Sequence, residues 1–259
     1  MNEMALITGA SNGIGLELAK IFAREKKDLI LVSRNVEKLK EIARDLESKY
    51  GIRVLVIAKD LGKTDTAKEI YNTVKQAGVQ VDYLVNNAGF GDFGMFSKSD
   101  WNRQQEMIAV NIVALTRLCR LFIPDMMTRN QGRIMNVAST AAFQPGPLMS
   151  VYYATKAYVL LFSEAIGNEL KGSGITVTAL CPGPTDTGFL EASRLQESKL
   201  FHWFRNADPA EVAEYGYKSM MKGKSVAIHG TLNRLLAFME RFAPRKLVTA
   251  IVRKMSEKR

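Results

Sequence analysis

The sequence predicts a single α/β domain built on a doubly wound parallel sheet with helices on both faces. Short apolar segments typical of buried strands alternate along the chain with segments whose apolar residues recur at helical spacing. The first of these strands runs directly into a glycine-rich turn and then into a helical pattern. Strands that alternate with helices need crossover connections, and such connections make neighbouring strands parallel.

Seven short strands are predicted in order along the chain. A long helical segment is predicted at about 101–127, and Asp208-Pro-Ala-Glu211 has the N-cap, first-turn proline and glutamate of a helix start. Ligands bind beyond the carboxyl ends of the strands in such sheets, so polar motifs at these ends are candidate site residues. The predicted strands are residues 4–8, 28–33, 54–57, 81–85, 133–137, 176–180 and 225–228.

Length and composition indicate one domain spanning residues 1–259. Apolar residues make up 47% and charged residues 24% of the chain, which excludes a disordered class. Cys119 and Cys181 lack metal-ligand or disulfide-framework spacing and are expected to be reduced core thiols. The early first strand leaves no room for a signal peptide, and no uninterrupted apolar run has transmembrane length. A cytoplasmic protein is therefore expected.

A glycine-rich turn, Gly9-Ala-Ser-Asn-Gly13-Ile-Gly15, connects the first strand to the first helix. Glycines let the backbone turn tightly and approach a ligand, and the N–H groups that open the helix would face an anion such as a pyrophosphate. Such a turn on its own is also compatible with a purely structural role. Its position at the start of an alternating strand and helix chain favours a dinucleotide site.

Tyr152 and Lys156 lie four residues apart in a predicted helix and would share one face of it. A phenol titrates at about 10, and a fixed cation beside it favours the phenolate, so we expect Tyr152 to exchange a proton near neutral pH. If the pair is considered alone, the alternative is an exposed i,i+4 side-chain pair with no catalytic role.

With these motifs, the chain resembles the classical short-chain dehydrogenase/reductase family along nearly its whole length, which implies a Rossmann-like fold. Residues 8–15 are similar to the family's cofactor turn, 86–89 to its second cofactor motif and 181–187 to its nicotinamide-binding segment. The resemblance implies the catalytic residues Asn111, Ser139, Tyr152 and Lys156. The implied cofactor-binding residues are Gly9, Ser11, Asn12, Gly13, Ile14, Gly15, Ser33, Arg34, Asp60, Leu61, Asn87, Ala88, Gly89, Tyr152, Lys156, Pro182, Gly183, Thr185 and Thr187.

The chemistry implied by the resemblance is reversible hydride transfer between a nicotinamide ring and a carbonyl or secondary alcohol. Tyr152 would supply the proton, and Ser139 a second hydrogen bond to the carbonyl oxygen. Lys156 would lower the tyrosine pKa and bind the nicotinamide ribose, while Asn111 would hold a water that links Lys156 to solvent. The alternative is a non-catalytic NADP-binding scaffold or redox-sensing interaction protein, which would not need this set of residues.

The cofactor preference depends on the end of the second strand, where an acidic residue would bind the ribose hydroxyls of NAD. This chain has Ser33 followed by Arg34, a pair that suits a 2′-phosphate, so NADP(H) is expected in preference to NAD(H). Many NADP-dependent family members carry another basic residue in the glycine turn, where this chain has Asn12. Asp60 and Leu61 are expected at the adenine.

The substrate region is predicted from apolar residues in an otherwise variable loop, residues 188–208. Two interpretations remain open: a lid helix packed on the body, or a pocket for a hydrophobic ketone or aldehyde. By resemblance, 3-oxoacyl reductases and hydroxysteroid dehydrogenases are the nearest alternatives. His202 and His229 lack ligand spacing, so no metal is expected. The apolar residues are Phe189, Leu190, Leu195, Leu200, Phe201, Trp203 and Phe204, together with Phe143, Pro145, Leu148 and Met149 nearer Tyr152.

Most of the formal charge of +10 lies near the C-terminus, where residues 222–259 include ten basic and two acidic side chains. Apolar residues recur at helical spacing within 231–259, which predicts two basic amphipathic helices. They would cover the substrate cleft or form a subunit contact in a homodimer or homotetramer; peripheral contact with an anionic membrane is the less favoured alternative. Basic and aromatic residues are not interleaved, so nucleic-acid binding is not expected.

Overall fold

The computed structural model of the protein describes residues 2–189, 193 and 206–257. Its sheet has seven strands, all paired in parallel, in the order β3-β2-β1-β4-β5-β6-β7. This confirms the predicted fold class. The strands are β1 Met4–Thr8, β2 Asp28–Ser33, β3 Val54–Ala58, β4 Tyr83–Asn86, β5 Gly132–Val137, β6 Ile175–Cys181 and β7 Val226–Ile228.

Helices cover both faces of the sheet because successive strand residues point to opposite sides. Leu6 and Ile30 belong to the core under α3, α5 and α6, whereas Ile7 and Leu31 belong to the core under α1, α2 and α7. The helices are α1 Gly13–Arg24, α2 Val36–Tyr50, α3 Thr66–Gln76, α4 Trp101–Ile108, α5 Leu115–Arg129, α6 Ser150–Glu169, α7 Pro209–Met221, α8 Thr231–Met239 and α9 Arg245–Ser256.

The strand and helix boundaries agree with the sequence to within a few residues, with one clear difference at β4. This strand begins at Tyr83, two residues later than predicted, and just before it the Asp82 carboxylate accepts a hydrogen bond from Met4 N at 2.8 Å. At α7, Asp208 is the N-cap and accepts from Ala210 N at 2.8 Å, as its sequence predicts. Cys119 and Cys181 are both free and buried.

The long helical segment expected at 101–127 contains a wider turn in its middle. Between α4 and α5 the backbone forms a π-helix, Ala109–Ala114, a feature that often occurs at functional sites. Within the described part of the chain, the continuous helix at Trp101–Arg129 has the length and hydropathy of a membrane span. Leu118, Phe122 and Met126 are nevertheless buried in the core of the α/β sandwich, which accounts for its apolar composition.

A buried polar network fixes α6 on the sheet. Asn86 Nδ2 donates to Asn136 Oδ1 at 2.9 Å, and Asn136 Nδ2 donates to Ser163 Oγ at 2.9 Å. Ser163 Oγ in turn donates to Val159 O at 2.6 Å. Unpaired polar groups are costly in a core, so this connected network sets the position of α6 relative to β4 and β5.

Candidate active site

The carboxyl ends of β1, β4, β5 and β6 open onto one cavity of about 900 Å³. Every residue predicted from the sequence to be catalytic or to bind the cofactor lines this cavity except Gly15 and Asn111. The parallel sheet therefore brings together motifs that lie more than a hundred residues apart in the chain.

The glycine turn has the conformation that its sequence predicts. Gly9 and Gly13 have φ of +66° and +52°, a region that side chains with a Cβ rarely occupy. Helix α1 starts after Asn12, whose side chain makes no capping bond, so the first N–H groups of α1 are available to an anion. Gly15 lies behind the turn, where a Cβ would overlap Gly9 O, so it allows close packing; its contact with the cofactor stays a prediction.

Hydrogen bonds from β1 and β4 make this turn rigid. Asn87 Nδ2 donates to Thr8 O at 2.9 Å and to Gly9 O at 3.2 Å. Thr8 Oγ1 accepts from the backbone N–H groups of Asn87 and Ala88, both at 3.0 Å. The Asn87 amide nitrogen therefore holds the turn, and the predicted binding of the cofactor by Asn87 stays a prediction. Sequence reasoning did not identify the role of Thr8.

At the end of β2, the groups expected to recognise the ribose are positioned at the cavity. The Ser33 hydroxyl oxygen is buried and has no hydrogen-bond partner among the described residues, while the Arg34 side chain is 73% exposed. The Arg34 guanidinium lies 3.4 Å from the carboxylate of Glu106, a residue that the sequence did not single out. A buried hydroxyl beside a cation fits a 2′-phosphate.

The residues expected at the adenine lie beside this pair. Asp60 Oδ1 accepts from Gly62 N at 3.0 Å, so one carboxylate oxygen is already used in a local turn. Leu61 is buried in the core and reaches the cavity beside Asp60. Lys59 also lines this end, where its ammonium pairs with Glu69 at 2.7 Å.

The catalytic end of the cavity brings Ser139, Tyr152 and Lys156 together, and all three are buried. The Ser139 hydroxyl lies near the Tyr152 phenol; Ser139 Oγ accepts from Ala141 N at 3.1 Å and donates to Pro182 O at 3.5 Å. Lys156 Nζ donates to Val137 O at 2.8 Å and lies 5.8 Å from the centroid of the Tyr152 ring. Helix α6 thus carries the phenol and the ammonium, whereas the end of β5 carries the hydroxyl.

The pKa of Tyr152 differs in direction from the expectation based on its neighbour at i+4. Burial raises this pKa above the ordinary value, and the hydrogen bond to Ser139 only partly offsets the rise. Burial also lowers the pKa of Lys156 to about 8. The ammonium is bonded to Val137 O, and desolvation outweighs its attraction for a phenolate. Tyr152 therefore holds its proton at neutral pH.

Asn111 lies in the π-helix, and its side chain approaches Gly89 as Lys156 does. Its amide donates to Phe90 O and to Thr155 Oγ1, each at 3.0 Å, and accepts from Phe90 N at 3.1 Å. A Cβ placed on Gly89 would be 3.0 Å from Asn111 Oδ1 and 3.4 Å from Lys156 Nζ, so these two atoms converge at Gly89. The side chain already has three protein bonds, and a water relay through Asn111 stays a prediction.

The segment after β6 closes the cavity over the glycine turn. Pro182 O accepts from Thr140 N at 2.8 Å, and Thr185 Oγ1 donates to Gly183 O at 2.9 Å. The Thr187 side chain reaches the glycine turn, since a Cβ on Gly13 would be 2.9 Å from its methyl group. These contacts place the predicted nicotinamide-binding segment between the turn and the Ser139 end of β5.

The remaining wall of the cavity is apolar and comes largely from the C-terminal helices. Phe189 packs on the Tyr152 ring with a centroid distance of 5.3 Å, and Phe143 and Met149 also line the cavity, whereas Pro145 and Leu148 do not. The other predicted loop residues, 190, 195, 200, 201, 203 and 204, and His202 lie outside the described residues. The tail contributes Asn233, Leu236, Met239, Glu240, Val248, Val252 and Met255.

The described residues contain no group of three or more histidine, cysteine, aspartate or glutamate side chains placed to hold a metal ion. The polar atoms at the cavity are instead hydroxyl, amide, ammonium and backbone groups. This donor set, with an uncapped helix N-terminus and a buried free hydroxyl at Ser33, fits a dinucleotide.

Comparison with known sequences gives relatives with related oxidoreductase names. The model of the short chain dehydrogenase family matches residues 3–198. The very-long-chain 3-oxoacyl-CoA reductase-B of Danio rerio is 34% identical over 186 residues, which are 70% of this chain and 59% of that protein. The 17-beta-hydroxysteroid dehydrogenase type 3 of Mus musculus is 35% identical over 186 residues, 70% of this chain and 60% of that protein. The uncharacterized oxidoreductase YvrD of Bacillus subtilis is 38% identical over 188 residues, 71% and 69% of the two chains. The chain spans about 60% of the length of the two animal relatives.

Solved structures match over nearly the whole chain. A short-chain dehydrogenase from Sphingobium yanoikuyae in complex with NADPH has a TM-score of 0.84 and 29% identity, with 93% of each chain covered. The bulky-bulky ketone specific alcohol dehydrogenase from Comamonas testosteroni has a TM-score of 0.79 and 28% identity, with 93% of this chain and 92% of that chain covered. A dehydrogenase from Burkholderia phymatum in complex with NAD shares the fold at 22% identity, with a TM-score of 0.82 and 92% of each chain covered.

Replacing Lys156 with methionine should stabilise the protein near neutral pH, although it removes a predicted catalytic group. Burial lowers the pKa of Lys156 to about 8 from an ordinary value of 10.5, so the unfolded chain binds this proton more tightly. Burying the charged lysine therefore lowers the free energy of unfolding by on the order of 3 kcal/mol below pH 8. This cost disappears as the pH rises towards 10. Denaturant titrations at pH 7, 8, 9 and 10 should show a Lys156→Met advantage that shrinks with pH.

The matched control is Lys171→Met, which removes an exposed lysine just after the same helix. Parallel pH curves for wild type and Lys156→Met would contradict the proposed cost of burying the ammonium.

Proposed function

The chain belongs to the short-chain dehydrogenase family and is an oxidoreductase of that family; we propose that it is an NADP(H)-dependent enzyme that transfers a hydride between the nicotinamide and a carbonyl or secondary alcohol of a hydrophobic substrate. One observation carries the proposal. Ser139, Tyr152 and Lys156 are buried together on one wall of a cavity whose opposite wall is apolar.

The roles of these side chains follow from their protonation and contacts. When bound, a nicotinamide cofactor would supply or accept the hydride. The Ser139 hydroxyl and the Tyr152 phenol, which both line the cavity, bind the carbonyl oxygen, which gains negative charge during reduction. Since burial keeps Tyr152 protonated, its phenol donates the proton that this oxygen needs. Lys156 brings positive charge near the phenol ring as the proton leaves.

The preference for NADP(H) over NAD(H) is supported by the charge at the end of β2. The side chain at the position where a carboxylate would repel a 2′-phosphate is the free, buried hydroxyl of Ser33. Arg34 adjoins it and is mostly exposed, so it can turn from Glu106 towards a phosphate. The similarity to a family member solved with NADPH agrees with this proposal but does not decide it.

A hydrophobic substrate is supported by the apolar wall of the cavity. Phe143, Met149 and Phe189 lie at the Tyr152 end, and α8 and α9 add aliphatic side chains. Relatives and structural neighbours are named for 3-oxoacyl-CoA, steroid and bulky-ketone substrates. A ketone of 3-oxoacyl, steroid-like or other bulky type is therefore the substrate class that we propose.

We further propose that the chain forms a homodimer or homotetramer with the tail at a subunit contact. One side of α8 and α9 lines the cavity, and Val252 is buried against the cluster that contains Met107 and Tyr153. The other side leaves large apolar side chains about half exposed or more, which marks an interaction surface. These are Leu232, Leu235, Phe238, Phe242 and Leu247.

Replacing Tyr152 with phenylalanine should lower kcat/KM for ketone reduction about 100-fold or more, because a positioned acid contributes at least that much. NADPH affinity should stay near the wild-type value, since the change removes one hydroxyl. Tyr158→Phe is the control, because Tyr158 lies on the same helix and bonds Thr116 away from the cavity. Activity of Tyr152→Phe above about a tenth of wild type would refute the assignment.

Changing the β2 end should alter the cofactor preference in opposite directions. Arg34→Ala should weaken NADPH binding about tenfold with little effect on NADH, since it removes one charge-assisted bond to a phosphate. Ser33→Asp should favour NADH through a carboxylate at the ribose. Arg44→Ala, an exposed change on α2, is the control in titrations with both cofactors. Equal wild-type efficiencies with NADH and NADPH would rule out the proposed preference.

Removing residues 244–259 should lower Tm by several degrees, because Val252 is lost from its buried cluster. The double change Leu235→Ser and Leu247→Ser should instead keep Tm and lower the molar mass in light scattering, since both side chains are exposed and lie outside the cavity lining. Phe96→Ser, an exposed apolar residue elsewhere, is the control. The opposite outcome would be an unchanged molar mass in the double variant, together with salt-sensitive binding to anionic vesicles by wild type but not by the double variant. That result would show that the surface contacts a membrane.

A further inference from the structure

A carboxyl group that lacks a hydrogen-bond partner among the described residues lies in the apolar part of the cavity. Glu240 opens the short 3₁₀ turn Glu240–Phe242 between α8 and α9 and lines the cavity. Both of its carboxyl oxygens are buried, and neither has a hydrogen-bond partner among the described residues. Buried carboxyl groups are normally paired, so this arrangement points to a ligand group that the carboxyl receives.

Two polar side chains from the catalytic end accompany Glu240. Tyr153 is buried beside Tyr152, and the centroids of the two rings are 6.0 Å apart. Burial raises the pKa of Tyr153 to about 12; a hydrogen bond from Gln144 lowers it, and the Glu240 charge raises it. Gln144, Tyr153 and Glu240 all line the cavity, and these three side chains are called the polar group here.

The position of Tyr153 within this polar group is fixed by packing. Gly146 lies against the face of the Tyr153 ring, where any Cβ would overlap the ring atoms. Tyr153 follows Tyr152 directly in α6, so the Tyr153 hydroxyl keeps a fixed relation to the phenol that is proposed to protonate the carbonyl oxygen. A substrate bound at both places would have its orientation determined by two polar contacts.

The charges around Glu240 restrict what it can receive. Burial raises its pKa to about 7, with a smaller opposing effect from Arg245. Near neutral pH the carboxyl is therefore present in both its protonated and its ionised form, and either form accepts a hydrogen bond. Arg245 and the basic tail disfavour an ammonium ligand, and the carboxyl itself disfavours an anion. A neutral hydroxyl, which donates and accepts, suits the site.

We propose that Glu240, with Tyr153 and Gln144, binds a hydroxyl group of the substrate, and that the enzyme prefers hydrophobic ketones carrying a second, remote hydroxyl. This inference rests on the proposed reduction at Tyr152 and adds the feature that selects its substrate. Glu240 is then a specificity residue, and Gly146 is a positioning residue that acts through Tyr153.

The test uses pairs of unbranched ketones of graded length, each with and without a terminal hydroxyl, with NADPH and the full-length chain. For wild type, the ratio of kcat/KM between the members of a pair should peak at one length at about tenfold or more, as for a site built to bind a hydroxyl. In Glu240→Leu this ratio should fall to near one, and Glu240→Gln should keep part of it because the amide oxygen still accepts. The control is Glu257→Leu, the same change at an exposed tail carboxylate that pairs with Arg253.

The outcomes separate this inference from the proposed function. If wild type reduces the ketones without favouring hydroxylated members, or if Glu240→Leu keeps the preference, the hydroxyl site is wrong and the reductase proposal stands. If no ketone is reduced, the proposed function fails, and the hydroxyl site is tested by the Tm shifts that the same ketone pairs induce in wild type and Glu240→Leu. Equal Tm shifts by the hydroxylated and unhydroxylated ketone of each pair in wild type would overturn the hydroxyl site. Tm values measured without ligand identify any misfolded variant.

Discussion

Parallel strands all end at the same edge of a sheet, and this constraint determines where the rest of the molecule can act. The glycine turn follows β1, Ser33 ends β2, Asn87 follows β4, and Ser139 lies beyond β5, so one cavity receives all of them. Helix α6 must cross the same edge to add Tyr152. The bond from Lys156 Nζ to Val137 O and the network from Asn86 to Ser163 fix it there. The site is thus an outcome of sheet topology and a few buried polar bonds.

Much of the fold and of the glycine turn was predictable from the sequence, because short local segments determine them. A strand buried on both faces is a continuous apolar run, and a turn that needs positive φ selects glycine, so β1, Gly9 and Gly13 follow from short segments. The N-cap at Asp208 has the same local origin. The direction of the chain through the sheet then follows from the alternation of strands with helices, which needs no side-chain detail.

Properties set by distant parts of the chain were not predictable in this way. The spacing of Tyr152 and Lys156 indicated a lowered phenol pKa, but burial raises it, and part of that burial comes from Phe189 and the tail helices. Glu106 reaches Arg34 from a helix more than seventy residues away, and Glu240 reaches the cavity from a turn that looks solvent-exposed in the sequence. Gly15 also packs closely against Gly9 O, a contact that the motif alone did not indicate. Each depends on the assembled fold.

The two walls of the cavity differ in how firmly they are held. Every residue of β1 is buried, whereas α8 contributes no buried side chain. Local opening of α8 exposes little new apolar surface and costs far less free energy than unfolding the sheet. Amide hydrogens of α8 should therefore exchange with solvent through local opening, while those of β1 wait for global unfolding. The α8 wall of the cavity can therefore open and close locally while the sheet, which positions the proposed catalytic residues, keeps its geometry.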